Sequence, residues 1–137
     1  MRRKKQITCE PITDAELDIM RVLWQTGHPM RVSEIVEKLS ETRSWKTQTA
    51  HVLLGRLEEK GFVNADRSGY YHTFSAKIKE TDYFLSESSA LMKKVGGSVK
   101  SMVVSMIDAE GISNEELAEL TSILETKCKE LGIERGT

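Results

Sequence analysis

The stretch Trp45–Gly61, WKTQTAHVLLGRLEEKG, decides how this 137-residue chain is read. Ala50, Leu53, Leu54 and Leu57 recur at the i, i+3, i+4, i+7 spacing of one helix face. At about 100° per residue, Gln48, His51, Val52, Gly55 and Arg56 fall on the other side. No acid occurs from Thr42 through Leu57, whereas Arg43, Lys46 and Arg56 are basic, and the carboxylates wait until Glu58 and Glu59. A surface helix ordinarily mixes both signs. One that presents small, polar and basic groups at its start suits the major groove of a duplex, where phosphate would repel acids. Gly55 is the odd residue, because a mid-helix glycine costs roughly 1 kcal/mol against alanine. Two readings of it stand: close approach to a DNA backbone, or a glycine tolerated there or placed for a tight helix crossing.

Working back from this helix, Thr13-Asp-Ala-Glu16 is a capping box that opens a first helix. Leu17, Met20, Leu23 and Trp24 form its apolar stripe, and Gly27 and Pro29 close it. Met30–Val32 reads as a short extended link, at most a one-bridge strand. Ser33 is expected to cap a second helix, Glu34 to about Glu41, with Ile35, Val36 and Leu39 inward. Helix, short helix, turn and longer helix with a basic polar face is the helix-turn-helix order. Residues 1–12 read as a flexible arm whose Arg2, Arg3, Lys4 and Lys5 either touch phosphate or simply solvate the end.

Working forward, Phe62–Asp66 and Tyr70–Ser75 are rich in β-forming residues, with Arg67-Ser68-Gly69 as the turn between them. A hairpin directly after the third helix is a wing, and its tip, Arg67 and Ser68, is placed either to reach a phosphate or to stand in solvent. Helical patterns then run to the end. Lys79 to about Val95 stops at Gly96-Gly97, and Ser98 to Asp108 carries Val99, Met102, Val103, Met106 and Ile107. Ser113-Asn-Glu-Glu116 is a second capping box, opening Asn114 to Leu131 with Leu117, Leu120, Leu124, Cys128 and Leu131 on one stripe. So many apolar side chains on short helices need a cover. Residues 78–137 are therefore expected to form a helical dimerisation module, through Met102, Val103, Met106, Leu117, Leu120 and Leu124. Folding back on the N-terminal half is the other way to cover them.

Composition sets the frame. The chain is 39% hydrophobic and 30% charged, ordinary for a globular protein, and no apolar run approaches the ~20 residues that span a bilayer. The N-terminus has a basic cluster but no apolar signal region, so the chain is expected in the cytoplasm. The net charge is −1, but residues 1–80 carry 14 basic and 11 acidic side chains, and residues 81–137 carry six and ten. The basic half holds the candidate recognition helix. Cys9 and Cys128 are the only cysteines, with no CxxC and no Cys/His cluster, so neither metal nor cofactor is expected. His28, His51 and His72 are scattered, with no nucleophile motif and no glycine-rich phosphate loop, which argues against an enzyme.

With these parts laid out, the chain resembles the penicillinase-repressor family of winged-helix transcriptional repressors, which includes the β-lactamase and methicillin-resistance repressors and a copper-responsive branch. The matching stretches are Asp14–Trp24 (DAELDIMRVLW), Ser33–Val36 (SEIV), Thr49 through Arg56-Leu57 to Lys60-Gly61-Phe62, Gly97–Val104 and Glu115-Glu116-Leu117. The resemblance implies a homodimer on palindromic operators, dimerised through its C-terminal helices. It implies DNA contacts from positions matching Lys46, Thr47, Gln48, Thr49, His51 and Arg56. In the antibiotic-responsive members a sensor-linked protease cuts the first dimer helix at an Asn–Phe bond, and the corresponding bond here is Ser105–Met106. The copper branch carries paired cysteine motifs near its C-terminus, whereas this chain has Cys128 alone. Where the family often has Arg or Lys, this chain has His51.

The expected fold is mainly α with a small β-hairpin wing: an arm (1–12), a winged helix-turn-helix head (13–77) and the dimerisation module (78–137). Within the head, Gln48 has the amide geometry to pair with adenine. Thr47 and Thr49 offer hydroxyls to phosphate or bases, Val52 an apolar contact for a thymine methyl, and Arg56 a guanidinium for phosphate or guanine. Capping is the alternative for the two threonines, and an ion pair with Glu58 or Glu59 the alternative for Arg56. The expected function is operator-binding repression. The competing reading is a winged-helix module for protein or RNA contacts, since a fold alone does not fix function.

Overall fold

The computed structural model describes residues 8–133. They fall into two compact units, one running to Leu91 and the other starting at Met92. The first unit begins with helix α1 (Asp14–Thr26), whose capping box forms as its sequence requires. Thr13 Oγ1 accepts from the Glu16 amide at 3.2 Å, and Glu16 Oε1 accepts from the Thr13 amide at 2.8 Å. Gly27 ends the helix at φ 74°, a left-handed conformation that favours glycine. Strand β1 (Met30–Arg31) leads directly into α2 (Val32–Lys38), and α3 (Thr47–Glu59) follows a turn. Strands β2 (Val63–Asp66) and β3 (Thr73–Ala76) complete an antiparallel sheet in the order β1-β3-β2, with Phe74 opposite both Met30 and Ala65. The short link before α2 is thus an edge strand that ties the helix-turn-helix to the wing.

Helix α2 differs from expectation at both ends. Its N-cap is Arg31 rather than Ser33, and the cap is closed by Glu34, whose Oε1 accepts from the Arg31 amide at 2.9 Å. It stops at Lys38 rather than near Glu41, because the amides of Thr42 and Arg43 turn back onto the Leu39 carbonyl. On α1, Ile19 and Val22 are buried beside Met20 and Leu23, while Leu17 is half-buried. Ile19, Met20 and Leu23 meet Ile35, Leu54, Leu57, Phe62 and Phe74 in one apolar core.

One charged side chain enters that core. Glu16 is 0% exposed, and Lys60 Nζ donates to its Oε1 at 2.8 Å. Burial pushes the Glu16 carboxyl up, but the Lys60 ammonium and the Thr13 amide and hydroxyl outweigh it and hold the group below the ordinary carboxylate value. The start of α1 is therefore clamped to the end of α3 by a charge-assisted bond.

The first unit also reaches further in both directions than the expected 13–77 head. Cys9 and Ile12 pack against the core, and the Cys9 amide donates to Ser86 Oγ at 2.9 Å. The last residues of the expected arm are therefore docked; Arg2–Lys5 lie outside the described residues. Helix α4 (Glu80–Val95) is held to the head through its first turns. Trp24 Nε1 donates to the Ile78 carbonyl at 2.8 Å, and the Tyr83 ring lies 5.8 Å from Trp24 and 5.9 Å from Phe62. Burial, with the neighbouring Glu87 carboxylate, pushes the Tyr83 hydroxyl up to about 12.

The second unit holds α5 (Val99–Glu110) and α6 (Asn114–Glu130). Ser98 Oγ accepts from the Ser101 amide and Ser113 Oγ from the Glu116 amide, each at 3.1 Å. Both helices thus start at serine caps. No described residue from Met92 onward is buried. Among the described residues no helix is long and apolar enough to cross a membrane.

Candidate nucleic-acid interface

Helix α3 divides as its periodicity demands. Ala50, Leu53, Leu54 and Leu57 are buried, and Thr47, Gln48, Thr49, His51, Val52, Gly55 and Arg56 are exposed. The N-cap is Lys46, which makes no side-chain cap bond, so neither Thr47 nor Thr49 caps the helix. Both hydroxyls remain available on the outward face. Val52 keeps 52% of its surface in solvent, an apolar group with nothing of its own fold to cover it. A Cβ added at Gly55 would meet nothing within 4 Å, so no tight helix crossing among the described residues calls for that glycine.

The charges sort themselves by partner. Arg43 is engaged with Asp18, and its guanidinium lies 5.0 Å from the centre of the Trp45 ring. It braces the turn before α3 and is not spare. Lys46 and Arg56 have no carboxylate partner among the described residues. The ion pair weighed for Arg56 does not form with Glu58, because Glu58 is occupied by Arg67. The two Arg67 amino groups donate to the two Glu58 oxygens at 2.7 and 3.0 Å, holding the Glu58 carboxyl below its usual value.

This last contact changes the expected wing. Arg67 was expected at the tip, free to reach a phosphate, but its fork is drawn back onto the last turn of α3. Ser68 is tied to Asp66, whose Oδ1 accepts from the Ser68 amide at 2.9 Å and from its hydroxyl at 2.6 Å. The strands are also shorter than expected. Tyr70, Tyr71 and His72 belong to the connection and not to β3. There Tyr71 lies under the Arg31 guanidinium, 4.6 Å from the ring centre. By residue type alone these tyrosines read as strand formers. The signal available was their position: two aromatics beside Gly69, with Arg31 brought opposite Thr73 by the β1–β3 pairing.

His51 is exposed, and its ring sits edge-on to Phe74 with ring centres 6.2 Å apart. His28 Nδ1 lies 3.0 Å from the Pro29 carbonyl, away from this helix, and His72 belongs to the wing connection. In the second unit the expected dimer residues share exposed surfaces. Met102 and Leu120 are half-buried, while Val103, Met106, Leu117 and Leu124 are exposed. Ser105 and Met106 lie in the middle of α5, both exposed.

The chain is similar to the penicillinase repressor of Bacillus licheniformis, with 33% identity over 115 residues covering 83% of this chain and 89% of that protein. It is similar to the methicillin resistance regulatory protein MecI of Mammaliicoccus sciuri, with 27% identity over 117 residues covering 85% and 94%. Among solved structures it resembles the monomeric form of Bacillus licheniformis BlaI in complex with the blaP half-operator, at 33% identity and a TM-score of 0.47, over 56% of this chain and 92% of that one. The penicillinase repressor family model matches residues 12–126, from the segment docked beside α1 to well inside α6. With that match and the relative at 33% identity, this chain belongs to the penicillinase repressor family.

Proposed function

We propose that this member of the family is a sequence-specific, DNA-binding transcriptional repressor that acts as a homodimer on palindromic operators and blocks transcription by occupying them. The observation that carries the reading is the outward face of α3, acid-free through Leu57, where Lys46 and Arg56 have no carboxylate partner among the described residues and Gln48, Thr47 and Thr49 are exposed. Lys46 and Arg56 supply the phosphate attraction that any duplex feels. Gln48 supplies base discrimination, and Val52 an apolar contact for a thymine methyl. The names of its relatives, a penicillinase repressor and a methicillin resistance regulatory protein, agree with that assignment.

The second unit supports the dimer. Covering a leucine-sized side chain stabilises by roughly 1.5–3 kcal/mol, and α5 and α6 leave Val103, Met106, Leu117 and Leu124 uncovered. A second copy offers the same apolar stripes in return, as an isologous interface requires. Two heads on one axis then read successive major grooves, with half-sites about one helical turn, ~10 bp, apart or a near multiple. Release of repression by a sensor-linked protease places the cut at Ser105–Met106. That bond lies within α5, so cleavage needs the helix to open locally first.

Selection of bound sequences from random duplex DNA, with RNA as competitor, tests the reading. The expected product is a palindrome. Lys46→Ala weakens all sites alike and reduces the salt slope by about 1, and Gln48→Ala relaxes base choice at one position. Retention of RNA in preference to duplex, or wild-type behaviour in both variants, would remove the third-helix assignment.

A further inference from the structure

A groove of about 520 Å³ opens between the last turn of α1, the loop that follows it and the link from β3 to α4. No residue of α3 and none of the wing connection lines it. Leu23, Trp24 and Ile78 supply its apolar wall, Leu23 buried and the other two half-buried. The one polar atom of the Trp24 side chain is already paired, because Nε1 donates to the Ile78 carbonyl at 2.8 Å. Only apolar ring surface is left for that side chain to offer. The charged residues of the groove are Lys77, Lys79 and Glu80, all exposed. Neither lysine has a carboxylate partner among the described residues.

We infer that this groove is a binding site for a small aromatic monocarboxylate, separate from the face that α3 offers to a duplex. The inference does not depend on the DNA-binding reading. Three features choose the ligand. The volume falls within the roughly 300–1,000 Å³ of sites that enclose a small organic molecule. The indole of Trp24 gives the wall a flat aromatic surface, which a second ring meets in offset or edge-on geometry. Two lysines against the single Glu80 carboxylate leave one positive charge, and one carboxylate on the ligand matches it. Lys77 and Lys79 flank Ile78 in the chain, so both ammonium groups, on flexible four-carbon stems, serve a carboxylate held beside that side chain. A dianion overmatches the charge, and a neutral arene leaves the lysines without a partner. Both ends of the Trp24–Ile78 hydrogen bond belong to the wall, so a molecule bound there stabilises the joint between α1 and the start of α4.

The test titrates the full chain with 2-naphthoate and follows the two indole Nε1–H signals by NMR. Trp24 and Trp45 are the only tryptophans, and Trp24→Phe assigns the signals. The Trp24 signal should shift saturably while the Trp45 signal stays, since Trp45 does not line the groove. The neutral 2-naphthamide should bind about tenfold more weakly, which is the worth of one charge-assisted contact. Lys77→Gln combined with Lys79→Gln should bind the acid no better than the amide. Both lysines are exposed, so the head should fold as before, which its circular dichroism checks. A Trp24 signal that does not saturate, or that moves together with Trp45, overturns the site. Equal affinity of the wild-type chain for acid and amide overturns the assignment of a carboxylate.

Discussion

The two units are made from the same material and end in opposite states. Residues 8–91 bury Ile19, Met20, Leu54, Leu57 and Phe62 completely, and even take a carboxylate inside. Residues 92–133 carry apolar stripes of similar quality on α5 and α6 and bury none of them. The difference is one of geometry. In the first unit, α1, α2, α3 and a three-stranded sheet surround a common centre. The second unit has no such centre among its described residues. The first unit can thus carry a folded surface to a ligand by itself, whereas the second is a surface in search of a cover, and a second copy is the cover we propose.

The contrast breaks most easily at the cores. Leu54→Ala removes a fully buried side chain and should cost about 2–5 kcal/mol, seen as a drop in the thermal midpoint that does not depend on protein concentration. Leu117→Glu with Leu124→Glu should leave the head's unfolding intact, produce a monomer in sedimentation and weaken operator binding by about 100-fold or more through loss of avidity. A head that melts with the tail variant would mean that the two units share a core.

The next effect belongs to the clamp between α1 and α3. Lys60→Met strands the Glu16 carboxylate in the core and should cost about 3 kcal/mol, the low side for a buried pair because Lys60 keeps a quarter of its side chain in water. The sign of the pH dependence follows. In the wild-type head the Glu16 carboxyl is held below its unfolded value of about 4.3, so its stabilisation is present above that pH and fades as pH falls through the lower folded value. In Lys60→Met only the Thr13 amide and hydroxyl still oppose burial, so the carboxyl rises relative to the wild type and stability should already fall at a higher pH. Chemical denaturation at a series of pH values checks both. The smallest effect is at Gly55, where alanine meets open space and should add about 1 kcal/mol of stability. Operator affinity of Gly55→Ala then separates the two readings of that glycine: a loss assigns close approach to the backbone of the duplex, and no change assigns a tolerated residue.

What could be read in the sequence was what is local. The Thr13–Glu16 box, the faces of α3, the Gly27 stop and the Ser98 and Ser113 starts all depend on residues within one or two turns of each other. What could not be read joins distant residues. Nothing near Glu16 announces Lys60, and nothing in a hairpin turn says that Arg67 will fold back on Glu58. The packing of α4 on the head was hidden for a similar reason, because α4 is one unbroken helical pattern and only packing shows that Tyr83 and Ser86 meet the head. The α2 cap misled in the other direction. Serine is a favoured cap, so Ser33 is the residue the sequence points to, while Glu34 caps the helix two residues earlier, at Arg31, from the side-chain half of the box.

The most direct measurement of the central claim is binding of the intact chain to a selected palindromic duplex and to the same duplex with about 5 bp inserted between the half-sites, half a helical turn. Two copies of the α3 face held on one axis predict two chains per duplex on the first DNA and a loss of affinity on the second, where the half-sites point to opposite sides. Equal affinity for both, at one chain per duplex, would contradict it.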